Sequence, residues 1–145
     1  MLFHFLEITF KKMLRLEIVT PERRVLDETV ESVTVPTASG EAGILTNHAP
    51  LVSALKPGIL SYSAKGATER IAIAGGFLEV NSNKVSVLTD AAEAATEIDV
   101  ERVRRERESA ERELSAASTL PVEETDPIRE RIEESDAKLQ LASGR

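Results

Sequence analysis

Few side chains in this sequence have the types and spacing that chemistry needs. Histidine titrates nearest to neutral pH, and the chain has two, His4 and His48. His48 could act as a general base, with Ser39 and Ser53 nearby as nucleophiles. Neither serine sits in a Gly-x-Ser-x-Gly elbow or any other catalytic motif. A His-Glu-x-x-His pair is absent. Gly75-Gly76 lacks the Gly-Lys-Ser/Thr continuation of a phosphate loop, so it reads as a strand feature. Glu93, Glu97 and Asp99 are close in sequence, but a hard cation needs a denser set of oxygens. The remaining feature is Gly40-Glu41-Ala42-Gly43-Ile44-Leu45-Thr46-Asn47-His48-Ala49-Pro50-Leu51. Its glycines permit a tight reversal and Pro50 cannot donate to a ladder. It reads as short strand pieces around an exposed loop, a place for binding rather than catalysis.

Composition narrows the partners. The chain has 145 residues, enough for one domain or one domain with a small appendage. A net charge of −7 argues against nucleic acid, which needs clustered cations. Cysteine is absent, which excludes disulfides and thiolate metal sites. The two histidines are far apart, which argues against a structural zinc. No apolar run approaches the roughly 18–20 residues that span a bilayer. Residues 1–12 resemble a signal peptide only superficially, because His4 and Glu7 interrupt the apolar run and no small-residue cleavage site follows. They are expected to be an N-terminal extension, with Met13 a candidate natural start. An added edge strand or a tail is the plainer alternative.

The elements that position these residues follow from periodicity. Leu14 to Val19 alternates apolar and polar residues, as a half-buried strand does. Thr20-Pro21-Glu22-Arg23-Arg24 is a turn, and Val25-Leu26-Asp27 a short returning strand. Thr29 to Val35 breaks strict alternation, which predicts a bulge. Lys56-Pro57-Gly58 has the signature of a type II turn. Strands are predicted over Gly58–Ala64, Thr68–Ala74, Phe77–Val80 and Lys84–Thr89, with reversals at Lys65-Gly66-Ala67 and Asn81-Ser82-Asn83 and a kink at Gly75-Gly76. Turn signals at this rhythm predict an all-β sandwich or barrel.

The period then changes. Val103, Ala110, Leu114 and Ala117 form one thin helical stripe, with Asp99 as its N-cap. Ser118-Thr119-Leu120-Pro121 ends that helix. A second is predicted to start with Asp126 at the N-cap and Pro127 at the first helical position, with Ile128, Ile132, Leu139 and Ala142 as its stripe. A short connection makes the pair an antiparallel hairpin. So few large apolar residues predict a marginal element that must dock on something. The basic residues Arg102, Arg104, Arg105, Arg107 and Arg112 read most simply as solvated helix surface.

The Gly40–Leu51 stretch, Gly75-Gly76-Phe77-Leu78-Glu79-Val80, Val85-Ser86-Val87-Leu88-Thr89-Asp90-Ala91-Ala92-Glu93 and Ile98-Asp99 occur in an order and spacing that resemble the epsilon subunit of F-type ATP synthases, whose mitochondrial counterpart is called delta. The resemblance runs from about Met13 to about Arg112 and weakens beyond. It implies a mainly β fold with an α appendage: a flattened ten-stranded β-sandwich over residues 13–97, then an antiparallel helical hairpin over residues 98–145. It implies no catalytic residues and no resident cofactor. The implied role is a rotor subunit of the central stalk, clamping the gamma subunit and seating it on the c ring. The loop bearing Glu41 and His48 would then face the c ring. The hairpin would regulate ATP hydrolysis, its five arginines meeting acidic residues of the catalytic alpha and beta subunits when extended. The second helix is more acidic than in strongly inhibiting members. Membrane association would come only through the complex, on the cytoplasmic face of a bacterial inner membrane.

Some members of that family also bind ATP through an Ile/Leu-Asp-x-x-Arg-Ala motif. Ile98, Asp99 and Arg102 match it, whereas Val103 replaces the alanine, and Ser135 and Lys138 stand roughly where those members carry arginines. The plainer reading is a helix cap at Asp99 and a surface Arg102. Two alternatives from other classes are a free-standing nucleotide-sensing β-sandwich protein and a small β-sandwich enzyme. ATP binding in isolation would favour the first, and the missing catalytic set disfavours the second.

Overall fold

The structure, a computed structural model, describes residues 13–144. The proposed extension over residues 1–12 lies outside them. Eight strands come first: β1 (Leu14–Val19), β2 (Arg24–Val30), β3 (Ser32–Thr37), β4 (Gly40–Ile44), β5 (Leu51–Ala64), β6 (Ala67–Asn81), β7 (Lys84–Leu88) and β8 (Ala92–Ala94). A single 3₁₀ turn (Ala95–Glu97) leads into α1 (Val100–Ala116) and α2 (Val122–Ala142).

The strands make two facing layers. One holds β2, β1, β7, the end of β6 and the start of β5. The other holds β4, β3, the end of β5, the start of β6 and β8. β5 and β6 are therefore long strands that serve both layers, and the eight strands supply the ten segments expected of the sandwich. Leu14, Leu16, Ile18, Val85 and Val87 from the first layer, and Val33, Val35, Ile44, Leu60 and Ile73 from the second, meet in one core. Val, Ile and Leu fill it because β-branched and compact apolar side chains pack well on a pleated surface.

Three local readings are corrected. Thr29 to Val35 is not one bulged strand. The chain breaks at Glu31, whose amide donates to the Ser63 carbonyl at 2.7 Å, and crosses from β2 to β3. Val30 and Val33 are then buried in different layers, which is why their spacing is odd. Lys56-Pro57-Gly58 is not a turn but the bend in the middle of β5. Pro57 pairs with Ala74, while Lys56 has no registered partner. A proline is tolerated there because the ladder is already interrupted. Gly75 and Gly76 form the matching bend in β6, both at positive φ. A side chain on Gly76 would collide with the Leu88 carbonyl, its Cβ falling 1.9 Å from that oxygen.

The third correction concerns α2, which starts one turn early, at Val122, with Pro127 inside it. Amides in the first turn have no intrahelical partner, so a proline just past that turn removes a single bond. Glu123 and Glu124 lie in the first turn, where the helix dipole favours carboxylates, and the Thr125 hydroxyl donates to the Val122 carbonyl at 3.0 Å. The start of α1 is as expected: Asp99 caps it, accepting from the Arg102 amide at 3.2 Å.

Candidate functional site

The two outer faces of the sandwich differ. α2 covers the outer face of the layer built on the end of β5 and the start of β6. Ala137 and Leu141 of α2 pack on Ala72, with Ile59 and Ile98 at the margin. Ile59 and Ala72 are a cross-strand pair pointing away from the core. The expected stripe residues Ile128, Ile132 and Leu139 are only half-buried. Ala137 and Leu141, four apart on another face, do the docking, and their spacing is the signal that the one-stripe reading missed.

Among the described residues, nothing covers the opposite outer face. Ala54 pairs with Phe77, Phe77 with Leu88 and Leu88 with Val19, so these four form one row across β5, β6, β7 and β1. Val52 lies two residues along β5. Val52 is 74% exposed, Phe77 60% and Leu88 56%. A contiguous apolar row of this kind on a sheet face marks an interaction surface. The sequence carried its signal: Leu78, Val80, Val85 and Val87 point inward, so Phe77 and Leu88 must point outward.

Glu41 and His48 are not brought together. Glu41 is exposed on β4 opposite Pro36 and borders a groove whose far wall is Glu133, Asp136 and Gln140 of α2. His48 lies in the loop after β4, its Nδ1 2.7 Å from the Ala49 carbonyl oxygen. That loop turns through Asn47 at φ 64°, and the Asn47 amide donates to Asn83 Oδ1 at 2.7 Å.

The five arginines of α1 fall into two groups. Arg102 pairs with Glu106 at 3.1 Å, Arg104 with Glu101 at 2.8 Å, and Arg107 with Glu111 and, across to α2, with Asp136 at 2.6 Å. The bond to Asp136, then its charge, hold the Arg107 guanidinium above its usual pKa. Arg131 of α2 pairs with Glu113. Arg105 and Arg112 make no ion pair among the described residues.

Arg102, Arg105, Arg131, Ser135 and Lys138 do converge, with Glu106 and Glu134, on a groove of roughly 490 Å³ between the helices. Ile98 and Asp99 of the ATP motif are occupied otherwise. Ile98 packs under α2 and Asp99 caps α1.

Residues 13–95 match the family model for the ATP synthase delta/epsilon chain, beta-sandwich domain. The chain belongs to that family. It is 54% identical over 102 residues to the ATP synthase epsilon chain of Carboxydothermus hydrogenoformans, covering 70% of this chain and 76% of that one. To the ATP synthase epsilon chain of Nitratidesulfovibrio vulgaris it is 40% identical over 131 residues, 90% of each. A chain in the mitochondrial ATP synthase structure of Euglena gracilis, comprising OSCP, F1 and c-ring, superposes with a TM-score of 0.70 at 29% identity, covering 92% of this chain and 82% of that one. A chain of the Tetrahymena thermophila central stalk and c-ring shares the fold, with a TM-score of 0.51 at 14% identity. No helix among the described residues is long and apolar enough to cross a membrane.

Proposed function

We propose that the chain is a non-catalytic rotor subunit in the central stalk of a proton-translocating F-type ATP synthase, coupling c-ring rotation through gamma to ATP synthesis. The observation that carries the reading is the exposed apolar row Val19–Leu88–Phe77–Ala54, with Val52 beside it. Gamma seats on that face. Residues 13–97 act as the clamp and residues 98–145 as the regulatory hairpin. Glu41 and His48 form the rotor-ring side, and Arg105 and Arg112, unpaired within the described residues, are the first to meet acidic residues of the catalytic subunits when the hairpin extends. Such pairs steer and select more than they bind. The protein is held at the cytoplasmic face of a bacterial membrane by the complex alone.

The test is a pull-down of tagged protein from native membranes. Recovery of gamma with the catalytic subunits and the c ring supports the reading, and recovery of no synthase subunit overturns it. Deleting residues 98–145 should raise ATP hydrolysis by the assembled enzyme, and an unchanged rate removes the inhibitory role.

ATP as a regulatory ligand is a second reading, favoured by the four cations around the interhelical groove. Arg102, Arg131 and Lys138 are already engaged by carboxylates, so a polyphosphate must displace Glu106, Glu113 or Glu134 to bind. The expectation is no heat with millimolar ATP in calorimetry, and saturable heat that Arg102→Ala abolishes would support the site at Ile98, Asp99 and Arg102.

A further inference from the structure

The docking of α2 on the sandwich rests on few apolar groups. Two of its three buried members are alanines, Ala72 and Ala137, and Leu141 is the one large side chain among them. Beside this patch, Lys138 Nζ lies 3.2 Å from Glu93 Oε1 on β8 and 3.2 Å from Glu134 Oε1 one turn back on α2. Among the described residues, Lys138–Glu93 is the only ion pair joining either helix to the sandwich. Lys138 is 12% exposed, with Glu93 and Glu134 also partly buried. Glu93 is the register partner of Ala72, so the charged contact and the apolar contact fall on the same rung.

We infer that Glu93 is the electrostatic latch of the hairpin, and that Glu134 is the place where Lys138 rests when the latch is open. Burial by itself pushes the Lys138 ammonium down, but the charge of Glu134 and the bonds to Glu93 and Glu134 outweigh it and hold the group above its usual value. When α2 lifts, Lys138 keeps its partner four residues back, in the favourable Glu-before-Lys order. No cation is left without a partner, and the opening cost falls on the contact to Glu93. Glu134 is present in both states, so its attraction to Lys138 largely cancels between them. The consequence for ATP hydrolysis rests on the function proposed above, but the latch itself does not.

The experiment uses the full chain alone. It has no cysteine, so Ala72→Cys, beneath α2, gives one thiol whose labelling rate reports hairpin opening even when the open form is rare. On that background, Glu93→Gln should raise the labelling rate roughly five-fold, the effect of about 1 kcal/mol. Glu134→Gln should change it less than about two-fold. Lys138→Met combined with Glu93→Gln should open no further than the larger single effect, as coupled partners do. Added salt should speed labelling of the parent more than of Glu93→Gln. An unchanged rate in Glu93→Gln, or equal rises in Glu93→Gln and Glu134→Gln, overturns the latch. Hydrogen exchange of the α2 amides in the cysteine-free chain makes the same comparison if the Ala72→Cys background is itself loosened. Failure here with gamma still recovered in the pull-down removes the latch and leaves the stalk role standing.

Discussion

The two outer faces of one sandwich have been given different kinds of contact. Under α2 the residues are small, Ala72 against Ala137, and a bridging lysine shares the work. On the far side Val52, Phe77 and Leu88 present large apolar groups with nothing over them among the described residues. Fully burying one such side chain contributes about 1.5–3 kcal/mol, whereas an alanine offers much less area. A face built from small groups and one charge pair suits an element that comes and goes. A face built from an aromatic and a leucine in direct register, with a valine beside them, suits a partner that stays.

The sharpest break in that contrast is Phe77→Glu combined with Leu88→Glu. Two desolvated charges in the row should abolish recovery of gamma in a pull-down while leaving hydrogen exchange of α2 at its parent rate. Loss of protection in α2 would mean that the faces are not independent. Next is Leu141→Ala. Truncating a buried leucine costs about 2–5 kcal/mol in a core. Here the loss should fall on docking, with faster exchange in α2 and around Ala72 but parent-like exchange in β1 and β7. Equal destabilisation of every strand would place the hairpin within the same cooperative unit as the sandwich.

Smaller in effect is Glu41→Lys, which should weaken coupling of proton flow to synthesis, and unchanged ATP-driven proton pumping would remove Glu41 from the ring side. The smallest is a pH effect on the sandwich edge. The bond from Arg15, with its charge and that of Arg24, holds the Asp27 carboxyl below its usual range against a smaller opposing effect of desolvation. A depressed carboxylate contributes stability that is present above its unfolded pKa and is lost as pH falls through the folded one. Asp27→Asn should therefore lower neutral stability slightly, since an exposed pair contributes little, and flatten the acid limb below about pH 4 by the same small amount, as denaturant melts would read.

What could be read from the sequence and what could not divides along local and non-local physics. Lys65-Gly66 and Ser82-Asn83 carry positive φ values and turn tight hairpins, as their types predict. Asp99 caps its helix for the same local reason. Pro57-Gly58 misleads because its turn chemistry is overridden by pairing with β6 on both sides of the bend. The start of α2 misleads because Asp126-Pro127 is a good local start, yet the helix gains an added turn from Pro121 onward. The chemistry of the arginines was visible as charge. Which of them carry partners depends on α2 lying alongside, and no spacing within α1 encodes Asp136 as the mate of Arg107.

One further consequence lies in β5 and β6. Because the same two strands pass through both layers, paired from Leu51↔Val80 to Ala64↔Ala67, the layers are joined by continuous backbone as well as by side-chain packing. A twisting force applied to the Phe77 face travels to the β4 side through covalent bonds and a hydrogen-bonded ribbon. It does not depend on friction between two sheets. The ribbon bends at one crease, beside Pro57 and Gly75-Gly76, where the Leu88 carbonyl lies so close to Gly76 that only a glycine fits. For an element asked to pass torque, that is a continuous coupling with a single defined bend.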